Sequence, residues 1–239
     1  MRLLLIVPCF LAALFVACGG GGGSNTPTPP AIDTTSPQAQ QTAEAAIPDP
    51  FASLNSYNYD VKVLADGQLH IEAKGSVQAP DRLAIDFFVS GSDQPIESVV
   101  IIGNQAWARD NSTENQWTTI DISSAENVIA GVQPKDVWTL LPIDQLTSGA
   151  NDLGEENVNG VASHHLQNTN LTSDMKNVLA TFFGIDVDSG TVDIWRADDG
   201  GWPVKAQITA KFPNGEQISA AETDWEISNV NNVTVQAPQ

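Results

Sequence analysis

Repeated two-residue alternation of apolar and polar side chains is the feature that most constrains the fold of this chain. The segment YNYDVKV, residues 57–63, alternates Tyr or Val with polar residues, and the dipeptide Asp66-Gly67 follows it. Such alternation is typical of a half-buried strand, and Asp-Gly favours a hairpin turn because both central turn positions need positive φ. Similar alternation continues in Leu69–Val77 and Leu83–Val89, and the run Ser98–Ile102 and the segment Gln105–Arg109 are predicted as further antiparallel strands. The sequence therefore predicts an antiparallel sheet with one apolar face.

Short helices are predicted in the middle of the chain. Ser123-x-x-Glu126 has the spacing of a capping box and predicts a helix that ends near Gly131. Pro134 can begin a second helix that runs through Leu141, and Pro142 either ends it or begins another turn. These helices are too short to be stable alone, so they must pack on an apolar surface.

Strands return in the second half of the chain. A strand over Val161–Leu171 precedes a helix that Thr172 can cap and Gly184 can end. Alternation is then clear in Val192–Ala197, Val204–Phe212 and Gln217–Ile227, and Asn232–Gln236 is a candidate for a closing strand. This order of strands, helices and strands predicts an α+β architecture, with the helices on one face of an antiparallel sheet.

The N-terminus has the features of an export signal. Arg2 precedes the apolar run Leu3–Ala17, which is shorter than the approximately 20 residues of a membrane span. The tetrapeptide Phe15-Val16-Ala17-Cys18 resembles a bacterial lipobox, which implies a diacylglyceryl group on Cys18; an incidental cysteine after an ordinary signal is the alternative. The prediction is a signal peptide over residues 1–17, a lipid-anchored Gly-, Pro- and Thr-rich linker over 18–50, and one folded domain over 51–239.

Composition and motifs argue against several classes of function. Ten Lys and Arg residues against 29 Asp and Glu give a net charge of −19, so nucleic acid is not an expected partner. No cysteine follows Cys18, and no nucleophile elbow or phosphate-binding loop is present. His164 and His165 are adjacent in a predicted strand and should point to opposite faces, which disfavours a shared metal ion. We therefore predict neither an enzyme nor a cofactor, and a hydrolase is the least favoured function.

Four segments, taken in order, resemble a known family: AKGSVQAPDRLAIDF, VVIIGNQAWARDNSTENQW, VNGVASHHLQ and VDIWRADDGGWPVKAQI. The family is the LppX/LprG family of cell-envelope lipid-carrier lipoproteins, relatives of the LolA lipoprotein carriers, and the resemblance covers about Tyr57–Pro238. It implies a half-barrel, in which a strongly curved antiparallel sheet has its concave apolar face covered by helices and encloses a cavity for acyl chains. The residue pattern alone does not distinguish such a cavity from a filled core.

Two functions are consistent with these features. The first is a membrane-anchored lipoprotein on the outer face of the bacterial cell membrane, or on the outer membrane, that carries or presents an acylated lipid, glycolipid or lipoprotein. The second is an envelope interaction or sensor module with a filled core and a protein partner. For the first, the predicted cavity-lining residues are Val61, Val63, Leu69, Ile71, Leu83, Ile85, Phe87, Ile101, Leu140, Leu141, Val178, Leu179, Phe182, Ile194, Val204 and Ile208.

Overall fold

A computed structural model describes residues 49–113, 116–141 and 143–239, without the side chains of residues 139 and 140. The predicted signal peptide, the lipidation site Cys18 and nearly all of the predicted linker lie outside the described residues. Pro142 and the side chain of Leu140 lie outside them as well. Phe51, close to the predicted start of the domain, is already part of the hydrophobic core, with only 3% of its surface exposed.

Eleven strands in the described residues form one antiparallel sheet. They are β1 (Ser56–Ala65), β2 (Gln68–Gln78), β3 (Arg82–Val89), β4 (Glu97–Ile102), β5 (Gln105–Asp110), β6 (Thr118–Ile120), β7 (Asn151–Val158), β8 (Val161–Asn168), β9 (Ser189–Ala197), β10 (Pro203–Lys211) and β11 (Ala220–Ser228). Their order across the sheet is β6-β5-β4-β3-β2-β1-β11-β10-β9-β8-β7. The pairing of β1 with β11 joins the two halves of the chain, and β6 and β7 are the two edges of a curved, open half-barrel. The predicted α+β fold class is therefore confirmed.

Helices connect the strands on the concave side of the sheet. Three of them, α1 (Ile122–Ile129), α2 (Pro134–Leu140) and α3 (Ile143–Leu146), lie in the connection between the two edge strands, and α4 (Ser173–Phe183) joins β8 to β9. Pro134 begins α2 as predicted, because a proline at the first helical position loses no hydrogen bond. Within the described residues, every helix is too short or too polar to span a bilayer.

The two predicted helix caps have different outcomes. Thr172 caps α4 as predicted: its hydroxyl accepts a hydrogen bond from the Met175 N–H at 3.3 Å, and Gly184 ends the helix with φ of +68°. The predicted capping box of Ser123 and Glu126 is wrong. Asp121 is the N-cap residue of α1, and its side chain makes no capping hydrogen bond. The helix begins one residue before Ser123, so Ser123 lies inside the first turn.

The sequence did not predict strand β7, and it predicted a closing strand that does not form. β7 is an exposed edge strand with little alternation, and the signal that could have located it is the Asn159-Gly160 turn, where both residues have positive φ. Residues 232–236 form an extended tail instead of a strand. The N–H of Val233 donates to Ser56 Oγ at 3.0 Å, and the N–H of Val235 donates to Gln78 Oε1 at 2.9 Å. Side-chain oxygens thus accept these two backbone hydrogen bonds in place of a neighbouring strand.

A bulge changes the register at the β1–β2 hairpin. Val63 pairs with Ile71, but the next pair is Leu64 with Leu69. Leu69 is therefore opposite Leu64, whose side chain points to the other face from that of Val63. Leu69 and Ile71 consequently point to opposite faces of the sheet. The prediction that Leu69 and Ile71 share one face is wrong, because a single extra residue in β2 inverts the alternation beyond it.

Candidate functional site

The two faces of the sheet have different chemistry. Val61 pairs with Ala73 and with Trp225, and Trp225 pairs with Ala206, so these four residues share one face. All four are buried, and we call this the concave face. The residues between them in the same strands, such as Lys62 and Asp224, point to the opposite, convex face. The helices cover the apolar face alone, which makes the concave face the candidate binding surface.

The predicted lining residues divide into two groups by burial. Nine of them are buried in the hydrophobic core: Val61, Leu83, Ile85, Phe87, Leu141, Leu179, Ile194, Val204 and Ile208. Six are half-buried: Val63, Leu69, Ile71, Ile101, Val178 and Phe182. The structure thus gathers most of the predicted residues into one cluster, but it does not give them equal access to a ligand.

The buried group forms a packed floor in this structure. Phe87, Leu141, Leu179, Ile194, Val204 and Ile208 have 0% of their surface exposed. A side chain that is covered completely borders no void large enough for a water molecule, so these six contact protein atoms on every side. An acyl chain could reach them only if a helix moved away from the sheet.

Four of the six half-buried residues are Val178 and Phe182 on α4, and Val63 and Ile71, which pair across β1 and β2. Phe183 on α4 contacts Phe212 with ring centroids 5.9 Å apart, and Phe212 follows Ala210 by two residues. Ala210 belongs to a row of small residues across four neighbouring strands, which consists of Gly190, Ala210, Ala221 and Ala65. We call the half-buried apolar residues at this end the rim; they are Val63 and Ile71 on the sheet and Val178, Phe182 and Phe183 on α4.

The opposite end of the concave face is filled by aromatic side chains that were not among the predicted lining residues. Trp225 contacts Trp138 on α2 and Phe51, with ring centroids 6.0 and 6.2 Å apart. Phe51 also contacts Tyr57, and Tyr57 contacts Tyr59. The alternation of Thr223, Trp225 and Ile227 within β11 would have assigned Trp225 to the core. Phe51 and Trp138 come from separate segments that only the tertiary structure brings to it.

This aromatic end disfavours negative charge. Burial raises the pKa of Tyr59 well above its ordinary value, and the neighbouring Tyr57 and Asp136 raise it further. Burial also raises the pKa of Asp136. Tyr59 Oη and Trp225 Nε1 are buried and have no hydrogen-bond partner among the described residues. A charged headgroup would therefore be unstable here, and the rim is the better place for a ligand to enter.

The two adjacent histidines point to opposite faces, as predicted. His165 lies on the convex face, where its Nδ1 is 3.0 Å from Glu156 Oε1 and its Nε2 is 2.8 Å from Asp193 Oδ1. Its ring also stacks on Trp195, with centroids 4.0 Å apart. His164 faces the other way, and its ring nitrogens lie 3.7 Å from Asp152 and from Asp198. The two histidines therefore have different partners and share no site.

A group of potential metal ligands lies at the exposed edge formed by β7 and β8. Glu155, His164 and Asp198 each offer one ligand atom, and these atoms lie within 4.8 Å of one another. All three residues are exposed, and exposed carboxylates are common in a chain with 29 Asp and Glu residues. The three could hold a divalent cation, but no other feature of the described residues marks this edge as a site.

Four partly buried carboxyl groups make stability depend on pH. Burial is the main cause that raises the pKa of Asp60, Glu97, Asp136 and Asp224. A group with a raised pKa binds its proton at higher pH in the folded chain than in the unfolded one, so its protonation favours folding. The carboxyls with lowered pKa, such as Asp66, lose their contribution only as pH falls below their ordinary range near 4. We therefore expect these four groups to contribute more stability as pH falls from 7.5 towards their ordinary pKa near 4.

Asp224→Asn tests this pH dependence. Asp224 Oδ1 is buried and has no hydrogen-bond partner among the described residues, so removing the charge should stabilise the protein by about 1 kcal/mol at pH 7.5 and by less at pH 4.5, nearer the ordinary pKa of the group. Urea unfolding at the two pH values measures both changes. Asp93→Asn, in an exposed loop, is the matched control and should change neither value. An equal gain from Asp224→Asn at both pH values would contradict the explanation.

The chain is similar to several proteins of solved structure. No family model and no curated protein matches the sequence. The chain is similar to the lipoprotein LppX of Mycobacterium tuberculosis, with 19% identity, a TM-score of 0.44 and coverage of 79% of this chain and 93% of LppX. It is also similar to LprF of Mycobacterium bovis, with 12% identity, a TM-score of 0.46 and coverage of 80% and 93%. A LolA superfamily protein of Nitrosomonas europaea is more distant, with 11% identity, a TM-score of 0.26 and coverage of 77% and 86%. The resemblance predicted from the sequence thus recurs among solved structures.

Proposed function

We propose that this protein is an exported lipoprotein that holds an acyl chain of a lipid, glycolipid or lipoprotein against its concave face and carries or presents it in the cell envelope. The observation that carries the proposal is the rim. Apolar residues of the sheet (Val63, Ile71) and of α4 (Val178, Phe182, Phe183) remain half-buried at one end of an otherwise covered apolar face. Half-buried apolar side chains at the margin of a covered apolar face are typical of ligand-binding grooves.

Binding requires no catalytic group. The acyl chain would enter between α4 and the strand ends and would displace the side chains that now cover the row of small residues, because Ala210 is fully buried and Ala221 is only 7% exposed. Removing a 16-carbon chain from water would contribute about 12 kcal/mol of hydrophobic free energy, which is ample for holding a lipid outside a membrane. A small displacement of α4 would lengthen the groove, because α4 is a single short helix between two loops.

The N-terminal sequence supports a location at a membrane. A diacylglyceryl group on Cys18 would anchor the chain to the outer face of the cell membrane or to an outer membrane, and residues 19–50 would act as a tether. The domain would then reach lipids in the same membrane without inserting into it. An envelope protein that delivers or accepts the lipid is the expected partner.

An interaction or sensor module is the second candidate function. It is favoured by the six predicted lining residues that are fully covered, because a face that is already packed solid needs no cargo. In that case the rim would be the margin of a hydrophobic core. The two functions differ in one measurable property, the uptake of an acyl chain.

Native mass spectrometry of the Ala31–Gln239 fragment, purified from a bacterial envelope, tests the proposal. We expect co-purified lipid, and we expect uptake of a fluorescent 16-carbon acyl probe. Val178→Arg places a charge on the rim and should weaken uptake at least tenfold, whereas Asn177→Arg, on the exposed side of the same helix, should change it less than twofold. Repeated recovery of empty protein without probe uptake would support the interaction module instead.

A further inference from the structure

The convex face carries a pocket that is unrelated to the concave face. It lies beside the edge strand β6 and has a volume of about 460 Å³, within the usual range of small-molecule sites. Trp107 pairs with Val100 on β4 and with Thr119 on β6, which places it on the face opposite to Ala106 and the core. The residues that line the pocket are Trp107, Gln116, Trp117, Thr119, Pro238 and Gln239.

Burial separates the tryptophans of this pocket from the others in the chain. Four of the six tryptophans, at positions 138, 195, 202 and 225, have at most 8% of their surface exposed. Trp107 and Trp117 are the two that remain half-buried, and both line the pocket. Leaving two indole rings partly in water costs hydrophobic free energy, and a ligand packed on them would reduce that cost.

The polar side chains that line the pocket are all uncharged. Gln116 and Gln239 offer side-chain amides, Thr119 offers a hydroxyl, and no acidic or basic side chain lines the pocket in the described residues. This is unusual for a chain with a net charge of −19. These side chains offer a charged ligand no opposite charge, whereas they offer both donors and acceptors to a ligand rich in hydroxyl groups.

One indole of the pocket is held in place before any ligand arrives. The guanidinium of Arg109 lies over the Trp117 ring, with Cζ 4.7 Å from the ring centroid. Arg109 Nη2 also reaches Ser98 Oγ at 3.5 Å, which anchors the side chain to β4. A ring that is already oriented loses little conformational freedom on binding, which favours ligand contact with its other face.

We infer that this pocket binds a neutral sugar, with one pyranose ring packed on Trp107 or Trp117 and its hydroxyls bonded to Gln116 and Thr119. An indole face suits the apolar C–H face of a pyranose, and amide and hydroxyl side chains suit its rim of hydroxyl groups. The inference is independent of the proposed lipid function, because the pocket and the rim lie on opposite faces of the sheet.

NMR of the six indole N–H signals tests this inference on the ¹⁵N-labelled full chain, in buffer without glycoside detergents. Maltose, cellobiose, lactose and glucose 6-phosphate are added separately as probes. We expect a neutral disaccharide to shift the Trp107 and Trp117 signals with a dissociation constant of about 1–10 mM, and to leave the other four in place. Glucose 6-phosphate should shift them less. No shift of either signal with any of the three neutral sugars would overturn the proposal.

Two variants locate the site. Trp117→Ala should weaken binding of the disaccharide at least tenfold, and unchanged signals of the four buried tryptophans would show that the fold is intact. Gln116→Ala, an exposed position, should weaken it severalfold without affecting the fold. Trp195→Phe, on the same convex face but outside the pocket, is the control and should bind normally. Unchanged affinity in both Trp117→Ala and Gln116→Ala would overturn the assignment of the sugar to this pocket.

Discussion

Gly75→Ala should destabilise the protein by about 3 kcal/mol, although it adds one methyl group in the middle of a strand. Tyr59 and Gly75 are paired across β1 and β2, and the Tyr59 ring lies directly over the glycine. A Cβ on Gly75 would overlap with the Cζ, Cε1 and Oη atoms of that ring. Tyr59 is only 2% exposed and belongs to the aromatic cluster, so its ring has no free space to occupy.

Urea unfolding of a double-mutant cycle checks this cause. In a Tyr59→Leu background the ring is absent, so the further change Gly75→Ala should cost less than about 1 kcal/mol. Ser76→Ala is the positional control: it lies next to Gly75 on the convex face and loses one hydrogen bond to Asn58, worth about 1 kcal/mol. An equal cost for Gly75→Ala in both backgrounds would show that overlap with Tyr59 is not the reason.

His165→Leu should also destabilise the protein, by about 2–3 kcal/mol. Asp193 is buried, with 8% of its surface exposed, and its carboxylate has two partners: His165 Nε2 and Gln167 Nε2, both at 2.8 Å. Leucine fills similar space but leaves that carboxylate with one partner in a position that water hardly reaches. The stacking of the imidazole on Trp195 is lost as well.

The neighbouring histidine supplies the control. His164→Leu removes an imidazole that is 3.7 Å from each nearby carboxylate and about half exposed, so the change should stay within about 0.5 kcal/mol. Adding Asp193→Asn to His165→Leu should recover part of the loss, because an amide is cheaper to bury than a charge. Equal losses for His164→Leu and His165→Leu in urea unfolding would contradict the role given to Asp193.

Strands with one buried face were predictable because burial imposes a period on the sequence. The segments beginning at Tyr57, Leu83 and Val204 alternate clearly, and each corresponds to a strand of the sheet. β7 was missed for the same reason: it is exposed on both faces at the edge of the sheet, so no burial pattern marks it. The tail after β11 was mistaken for a strand because its alternation is real, but side chains of other strands satisfy its backbone.

The candidate sites depended less on local pattern. Alternation assigned Ile194, Val204 and Ile208 to the concave face, but it could not indicate that α4 and its neighbours cover them completely. Phe183 at the end of α4 and Phe212 just after β10 belong to separate segments that meet only in the tertiary structure. The pocket on the convex face likewise joins Trp107 and Trp117 to Pro238, more than 100 residues away.

The sequence by itself determined the fold class, the order of most strands, the caps of α4 and the absence of thiol chemistry after Cys18, because these depend on local periodicity, turn residues and composition. The tertiary structure alone decided which apolar residues are packed and which are accessible. It also decided how the bulge between Leu69 and Ile71 shifts the β1–β2 pairing register, and which tryptophans face solvent. The physical reason is that packing depends on which distant segments meet, and a repeat of two residues carries no information about the volume left between them.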